Sequence, residues 1–198
     1  MKNQLTVFFA LVIMSSTVFA QNTSTTKMTE TNSVSSQGIR FGVVKSTLDA
    51  SSESSSKGSA KQQNSTKVDE TYGLSMGYAS LPLESIGWTA NVTFLRLTIG
   101  NSVADIARID GNLAYAFNKY IHLKGGLNGS KFTRGDSVVE LDAGLGGQLS
   151  LGLQFDQNFG LDVGYTELHQ SGQIDTGFSN LKVETKLSGL EVGLHATF

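Results

Sequence analysis

The last nine residues, Leu190–Phe198, read LEVGLHATF. Leu190, Val192, Leu194, Ala196 and Phe198 fall on one side of an extended chain; Glu191, Gly193, His195 and Thr197 fall on the other. Successive side chains of a β-strand point to opposite faces, so this is a strand with one apolar face and one face of polar and small residues. A soluble sheet can also carry such a strand. Whether the pattern defines the fold depends on how often the chain repeats it.

It repeats seven more times. A first strand at about 38–48 sets Ile39, Phe41 and Val43 against Arg40, Gly42 and Val44. A second at about 68–80 sets Tyr72, Leu74, Met76 and Tyr78 against Gly73, Ser75, Gly77 and Ala79, and 81–85 reads as a turn. The third, about 86–98, shows Trp88, Ala90, Val92 and Phe94; the fourth, about 105–117, shows Ile109, Leu113, Tyr115 and Phe117. After a tight turn at Asn118-Lys119 the fifth runs to about Gly129, and the sixth alternates from Val139 to Phe155. The seventh starts near Phe159, and the eighth is about 181–198.

The links after the second, fourth and sixth strands are short. Those after the first, third, fifth and seventh are longer and polar: 49–67, 99–104, 130–137 and 170–180. Short turns at one end, longer loops at the other and an even strand count predict an all-β fold, an eight-stranded antiparallel up-and-down transmembrane β-barrel. Trp88, Phe117, Tyr120, Phe155, Phe159 and Phe198 collect near the short turns, and Tyr72, Phe94 and Tyr165 nearer the loops, as two interfacial girdles would.

The beginning of the chain gives the compartment. Lys2, an apolar stretch from Leu5 to Met14 and Val18-Phe19-Ala20 before Gln21 read as a secretory signal peptide, residues 1–20, cut after Ala20. The apolar stretch is short for a membrane anchor. Residues 21–37 are rich in Ser, Thr and Asn and read as a disordered leader, leaving 38–198 as the barrel domain. A second such piece, 49–67, reads as a long flexible loop. There is no cysteine, so no disulfide framework supports the fold. Twenty-two glycines and a single proline, Pro82, disagree with a helical domain. Of 15 Lys and Arg, one is Lys2, so 14 remain against 17 Asp and Glu, and no basic footprint for nucleic acid is present.

The polar face of the predicted barrel carries Arg40, Arg108, His122, Lys124 and His195 beside Asp110, Glu140, Asp142, Asp162 and Glu191. Eight strands enclose an interior that side chains fill, and charges held there need partners. The expectation is an ion-paired plug; a small ion-conducting channel is the alternative.

The alternation ending on a C-terminal Phe resembles the sorting signal of Gram-negative outer-membrane barrels, read by the barrel assembly machinery. With the signal peptide, eight strands and a polar lumen, residues 38–198 resemble the small OmpA/OmpX-like barrels. The resemblance implies the cell outer membrane, contact with its lipid and lipopolysaccharide, and a structural or surface-interaction role in which loops 49–67, 130–137 and 170–180 meet an extracellular ligand; no periplasmic peptidoglycan-binding domain is expected, because the chain ends with the barrel.

One constellation points elsewhere. His169 and Ser171 form an H-x-S at the outer end of the seventh strand, in its lipid-facing register, and Glu184 shares the parity of Phe198 on the eighth. Ser, His and a carboxylate near the outer headgroups could serve as nucleophile, base and orienting acid on an acylated lipid. This resembles the lipid A deacylases, eight-stranded barrels with an H-x-S and a downstream Glu. Here, however, Gly172-Gln173-Ile174 follows Ser171, where that family has Asn-Ala-Gly. The glycines lack the context of a phosphate loop, and the three histidines lack zinc spacing. The reading is a non-enzymatic barrel with no catalytic residue, cofactor or metal.

Overall fold

The computed structural model describes residues 34–55, 62–134, 142–156, 158–175 and 180–198. They form β1 (Val34–Ser55), β2 (Gln62–Lys67), β3 (Glu70–Pro82), β4 (Ile86–Ile99), β5 (Ser102–Ala116), β6 (Ile121–Arg134), β7 (Gly144–Gln154), β8 (Phe159–Asp175) and β9 (Asn180–Thr197). β1 and β3 to β9 pair in chain order, and β9 returns to β1, so eight antiparallel strands close on themselves. β2 pairs with β1 as a ninth strand outside the ring.

The register fixes the barrel's shape. A ladder row entered at Arg40 passes through Gly77, Asn91, Asp110, Asn128, Gly146, Leu168 and Leu187, and returns to β1 at Ala50. The row has climbed ten residues, from 40 to 50. Eight strands with that stagger lean about 40° from the axis around a radius of about 8 Å, so each residue rises about 2.5 Å along the axis.

Backbone closure removes the two edges that an open sheet would expose. It ends on the C-terminal residue. Gly38, at φ 147°, lies so near Phe198 that a Cβ would stand 2.0 Å from its carbonyl oxygen. The ring of Phe198 meets Phe41 edge to face at 6.3 Å.

The exterior is a surface for lipid. Among the described residues 28 large apolar side chains are exposed, Leu127 and Leu145 by about three quarters. Water-soluble monomers rarely expose apolar surface on this scale. Tyr78 stacks on Trp88 at 5.5 Å and Tyr115 meets Phe117 at 5.2 Å at the end with the short turns, while Tyr72, Phe94 and Tyr165 stand exposed toward the other. Asn118 and Asp156 shape two of those turns, each accepting two backbone N–H bonds through Oδ1.

The far end departs from expectation. The strand predicted over 38–48 begins at Val34 and runs on to Ser55, and part of the predicted flexible loop is the β1–β2 hairpin, pairing Asp49–Ser54 with Lys67–Gln62. β8 continues to Asp175 and β9 starts at Asn180, so most of 170–180 is paired strand; β6 likewise takes in the first residues of 130–137. Loop 99–104 shrinks to a turn at Gly100, whose φ of 59° favours glycine. Ser, Thr and Gln lack the apolar alternation that marks a strand, and here a neighbouring backbone extends the ladder without it. Residues 1–33, the predicted signal peptide and most of the leader, lie outside the described residues.

Candidate functional site

Inside the wall, strand order translates into height. Outward from the short-turn end, β1 presents Arg40, Ser46 and Leu48; β8 presents Asp162, Thr166 and Leu168; β9 presents His195, Glu191 and Leu187. Three layers result: a lower ion-paired layer, a second one above it, and an apolar layer nearest the loops.

Asp162 centres the lower layer. Lys124 Nζ and Arg40 Nη1 donate to its Oδ2, the latter at 3.4 Å. His122 Nε2 approaches Oδ1 and His195 Nδ1 approaches Oδ2, both at 3.3 Å. Both rings press on bare backbone: a Cβ on Gly152 would stand 1.9 Å from His122 Nε2, and one on Gly160 2.5 Å from His195 Nε2.

Arg108 centres the second layer. Its guanidinium grips Glu191 with two bonds of 2.7 and 2.8 Å, and Nε lies 2.8 Å from Asp110 Oδ1. Thr93 donates to Asp110 and Ser46 to Glu191, each at 3.2 Å. Such bidentate, charge-assisted pairs offset part of the desolvation of buried charge. With neutral imidazoles, the lower layer holds two cations and one anion, the second one cation and two anions; only together are they neutral. A cavity of about 60 Å³ between them, lined partly by Asn91, Asn112, Gln148 and Ser150, has room for a few water molecules.

Above lies an apolar layer: Leu48, Leu95, Leu97, Ile106, Leu168 and Leu187 are buried inside the barrel with Val68, and Val44, which borders the cavity, packs against them from below. Parity alone found the eight lumenal charges and imidazoles, six of them buried and Asp162 and Glu191 partly so, and missed this layer. It placed Asp142 in the lumen as well. Asp142 is instead exposed beyond the start of β7, its N–H donating to the carbonyl of Ser171 at 2.8 Å, because the wall that parity presupposes ends at Gly144. Glu140 lies outside the described residues.

At the rim the structure sets Ser171 opposite Glu184 and His169 opposite Lys186 in the β8–β9 ladder, all on the outward face. The imidazole of His169 contacts Glu167, which also holds Lys186 at 2.8 Å, while Lys182 engages Glu184 at 2.7 Å. Glu167 stands past Tyr165, beyond the apolar belt, and Lys186 and then His169 hold its carboxyl below the usual range. Ser171 is six residues beyond Tyr165, about 15 Å higher along the axis. The trio shares one face, but its base is committed to another carboxylate, and the serine stands well above the edge of the apolar belt. No group of three or more His, Cys, Asp or Glu suited to a metal ion occurs among the described residues.

No family model matches the chain, and no curated protein matches it. Among solved structures it resembles the outer membrane protein OprG from Pseudomonas aeruginosa, at 15% identity over 82% of this chain and 99% of that one, with a TM-score of 0.49. The outer membrane protein AlkL is similar at 13% identity over 90% and 97%, TM-score 0.48. Ail, the attachment invasion locus protein of Yersinia pestis, is similar at 17% over 80% and 99%, TM-score 0.39. The strand count, the stagger and the lipid-facing belt of the chain itself give it the fold of the small eight-stranded outer-membrane barrels.

Proposed function

We propose that this is a non-enzymatic barrel of the cell outer membrane, exported by a cleaved signal peptide, with a structural or surface-interaction role. The observation that carries the reading is the contrast between a filled lumen and a projecting outer sheet. Two ion-paired layers and an apolar layer fill the interior. Meanwhile β1, β2, β8 and β9 continue past the girdle as a polar four-stranded sheet, β1 reaching Ser55, ten residues beyond Lys45 and about 25 Å higher. Such a surface suits an extracellular partner. Phe198 and its strand suit the barrel assembly machinery, and outward cations such as Lys45, Lys131 and Lys186 suit lipopolysaccharide phosphates.

Fractionation and planar-bilayer recordings test the location and the filled lumen: recovery with outer membranes and no steady conductance are expected. Soluble periplasmic protein would overturn the first, sustained conductance the second. For the surface role, cells carrying the wild type and a variant with 49–67 replaced by a two-residue turn are compared for adherence to an epithelial monolayer. Reduced adherence of the variant is expected, and equal adherence would remove the role assigned to the hairpin.

A further inference from the structure

Four basic side chains from three strands surround one carboxylate. Arg40 comes from β1, His122 and Lys124 from β6 and His195 from β9, and all converge on Asp162 of β8. Among the described residues the other acids facing this layer are Asp110 of β5 and Glu191 of β9, and both are held by Arg108. β3, β4 and β7 contribute neutral groups to the cavity above, among them Ser75, Asn91 and Gln148. The carboxylate therefore has no spare anion behind it.

Arg40 is poorly satisfied as well. Its Nη1 makes one long contact to Asp162, while Nε and Nη2 are buried without a protein partner. Both imidazoles are almost wholly buried, at 2% and 6% exposure, and both rings rest on glycine backbone. A proton arriving on either ring adds a cation to a layer that already has one in excess, where little water screens it. Packing leaves the rings little room to turn away. The charged neighbours that can respond are the long side chains of Lys124 and Arg40, which border the cavity.

We propose that the His122–Asp162–His195 layer is a proton-sensitive lock on the inner lumen. With neutral imidazoles it is closed. On acidification the two rings take up protons, compete with Lys124 and Arg40 for Asp162, and admit water to the cavity from the short-turn end. The apolar layer of Leu48, Leu97, Leu168 and their neighbours has nothing to titrate and stays shut, so the change loosens the inner end and opens no path through the barrel. The inference rests on lumenal geometry and is independent of the role given to the outer sheet.

The test uses the full chain folded in detergent micelles, followed from about pH 7.5 to about pH 3 by ring ¹⁵N NMR of the histidines and by amide exchange, corrected for the intrinsic pH dependence of exchange. The expected result is that both buried rings titrate together with a roughly tenfold or greater loss of protection at the amides of Arg40, His122, Asp162 and His195, while Leu97 and Leu168 keep theirs. Titration with unchanged protection, or loss of protection without titration, would overturn the lock. A second arm compares wild type with the double variant His122→Gln/His195→Gln. The variant is expected to lose most of the acid-induced drop in its urea midpoint, and an equal drop in both would also overturn it.

Discussion

Ile39 and Phe198 exchange both of their backbone hydrogen bonds: Ile39 N–H donates to the Phe198 carbonyl at 3.0 Å, and Phe198 N–H to that of Ile39 at 2.9 Å. The final residue is thus the last rung of the seam that closes the barrel. Deleting Phe198 removes both bonds, each contributing about 1 kcal/mol net and more where lipid is the alternative partner. It also removes the contact with Phe41. The folded fraction, read from heat-dependent gel mobility of membrane extracts, is expected to fall markedly for the deletion and to stay unchanged for Ser171→Ala at the rim.

Charge in the lumen and charge at the rim should differ sharply in cost. Asp162→Ala leaves Lys124 and Arg40 buried without their anion, and removing one partner of a buried pair costs about 3–5 kcal/mol. Arg96 pairs with Asp105 through bonds of 2.8 and 3.1 Å, but its side chain is about half exposed and screened by solvent, so Arg96→Gln should cost far less than Asp162→Ala. Urea titrations of the two variants in one detergent check the ordering. A similar loss in both would mean that the lumen is far wetter than its burial indicates.

The glycines divide by the side they face. Gly111 has nothing within 4 Å of a Cβ and Gly147 nothing nearer than 3.6 Å, both on strands whose neighbouring leucines point to lipid. Gly111→Ala and Gly147→Ala should each stabilise by about 0.4–1 kcal/mol, by restricting the unfolded chain at no steric cost. Gly152→Ala drives a methyl into the ring of His122 and should cost about 1–3 kcal/mol. Opposite signs for the outward and inward substitutions, measured as urea midpoints, are the expected result.

The parts of the molecule legible in the sequence are those where side chains report on the wall. Arg40, Arg108, Asp110, His122, Lys124, Asp162, Glu191 and His195 all reach the lumen, because period-two alternation decides facing before any contact is known. Leu95, Leu97, Ile106, Leu168 and Leu187 escaped because each strand supplies only one or two of them, and only the ten-residue stagger gathers them into one layer. The outer half of β1 and all of β2 escaped for a different reason. DASSESS and QQNSTK carry no apolar period, and their pairing comes from the backbone of β9 and of each other. The partner of His169 was hidden by distance of another kind: Glu167 is only two residues away, yet the H-x-S pattern draws attention forward to Ser171.

That partner yields a prediction at the rim. Glu167 is held below the usual carboxylate range by Lys186 and then by His169, so its folded value is depressed relative to the unfolded chain. The stabilisation it gives is then fully present above the unfolded value and is lost as pH falls through the folded one. The stability difference between wild type and Glu167→Gln should accordingly be constant from neutral pH down to about pH 5 and vanish only well into acid. Lys186→Met should remove most of it, since Lys186 is the larger cause. If His169 instead served as a base for Ser171, Glu167→Gln and Ser171→Ala would both alter the acylation of lipid A in intact cells. Mass spectrometry of lipid A from cells overexpressing the wild type and both variants is expected to show three identical acylation patterns, with the pH-dependent stability term as the only effect of Glu167.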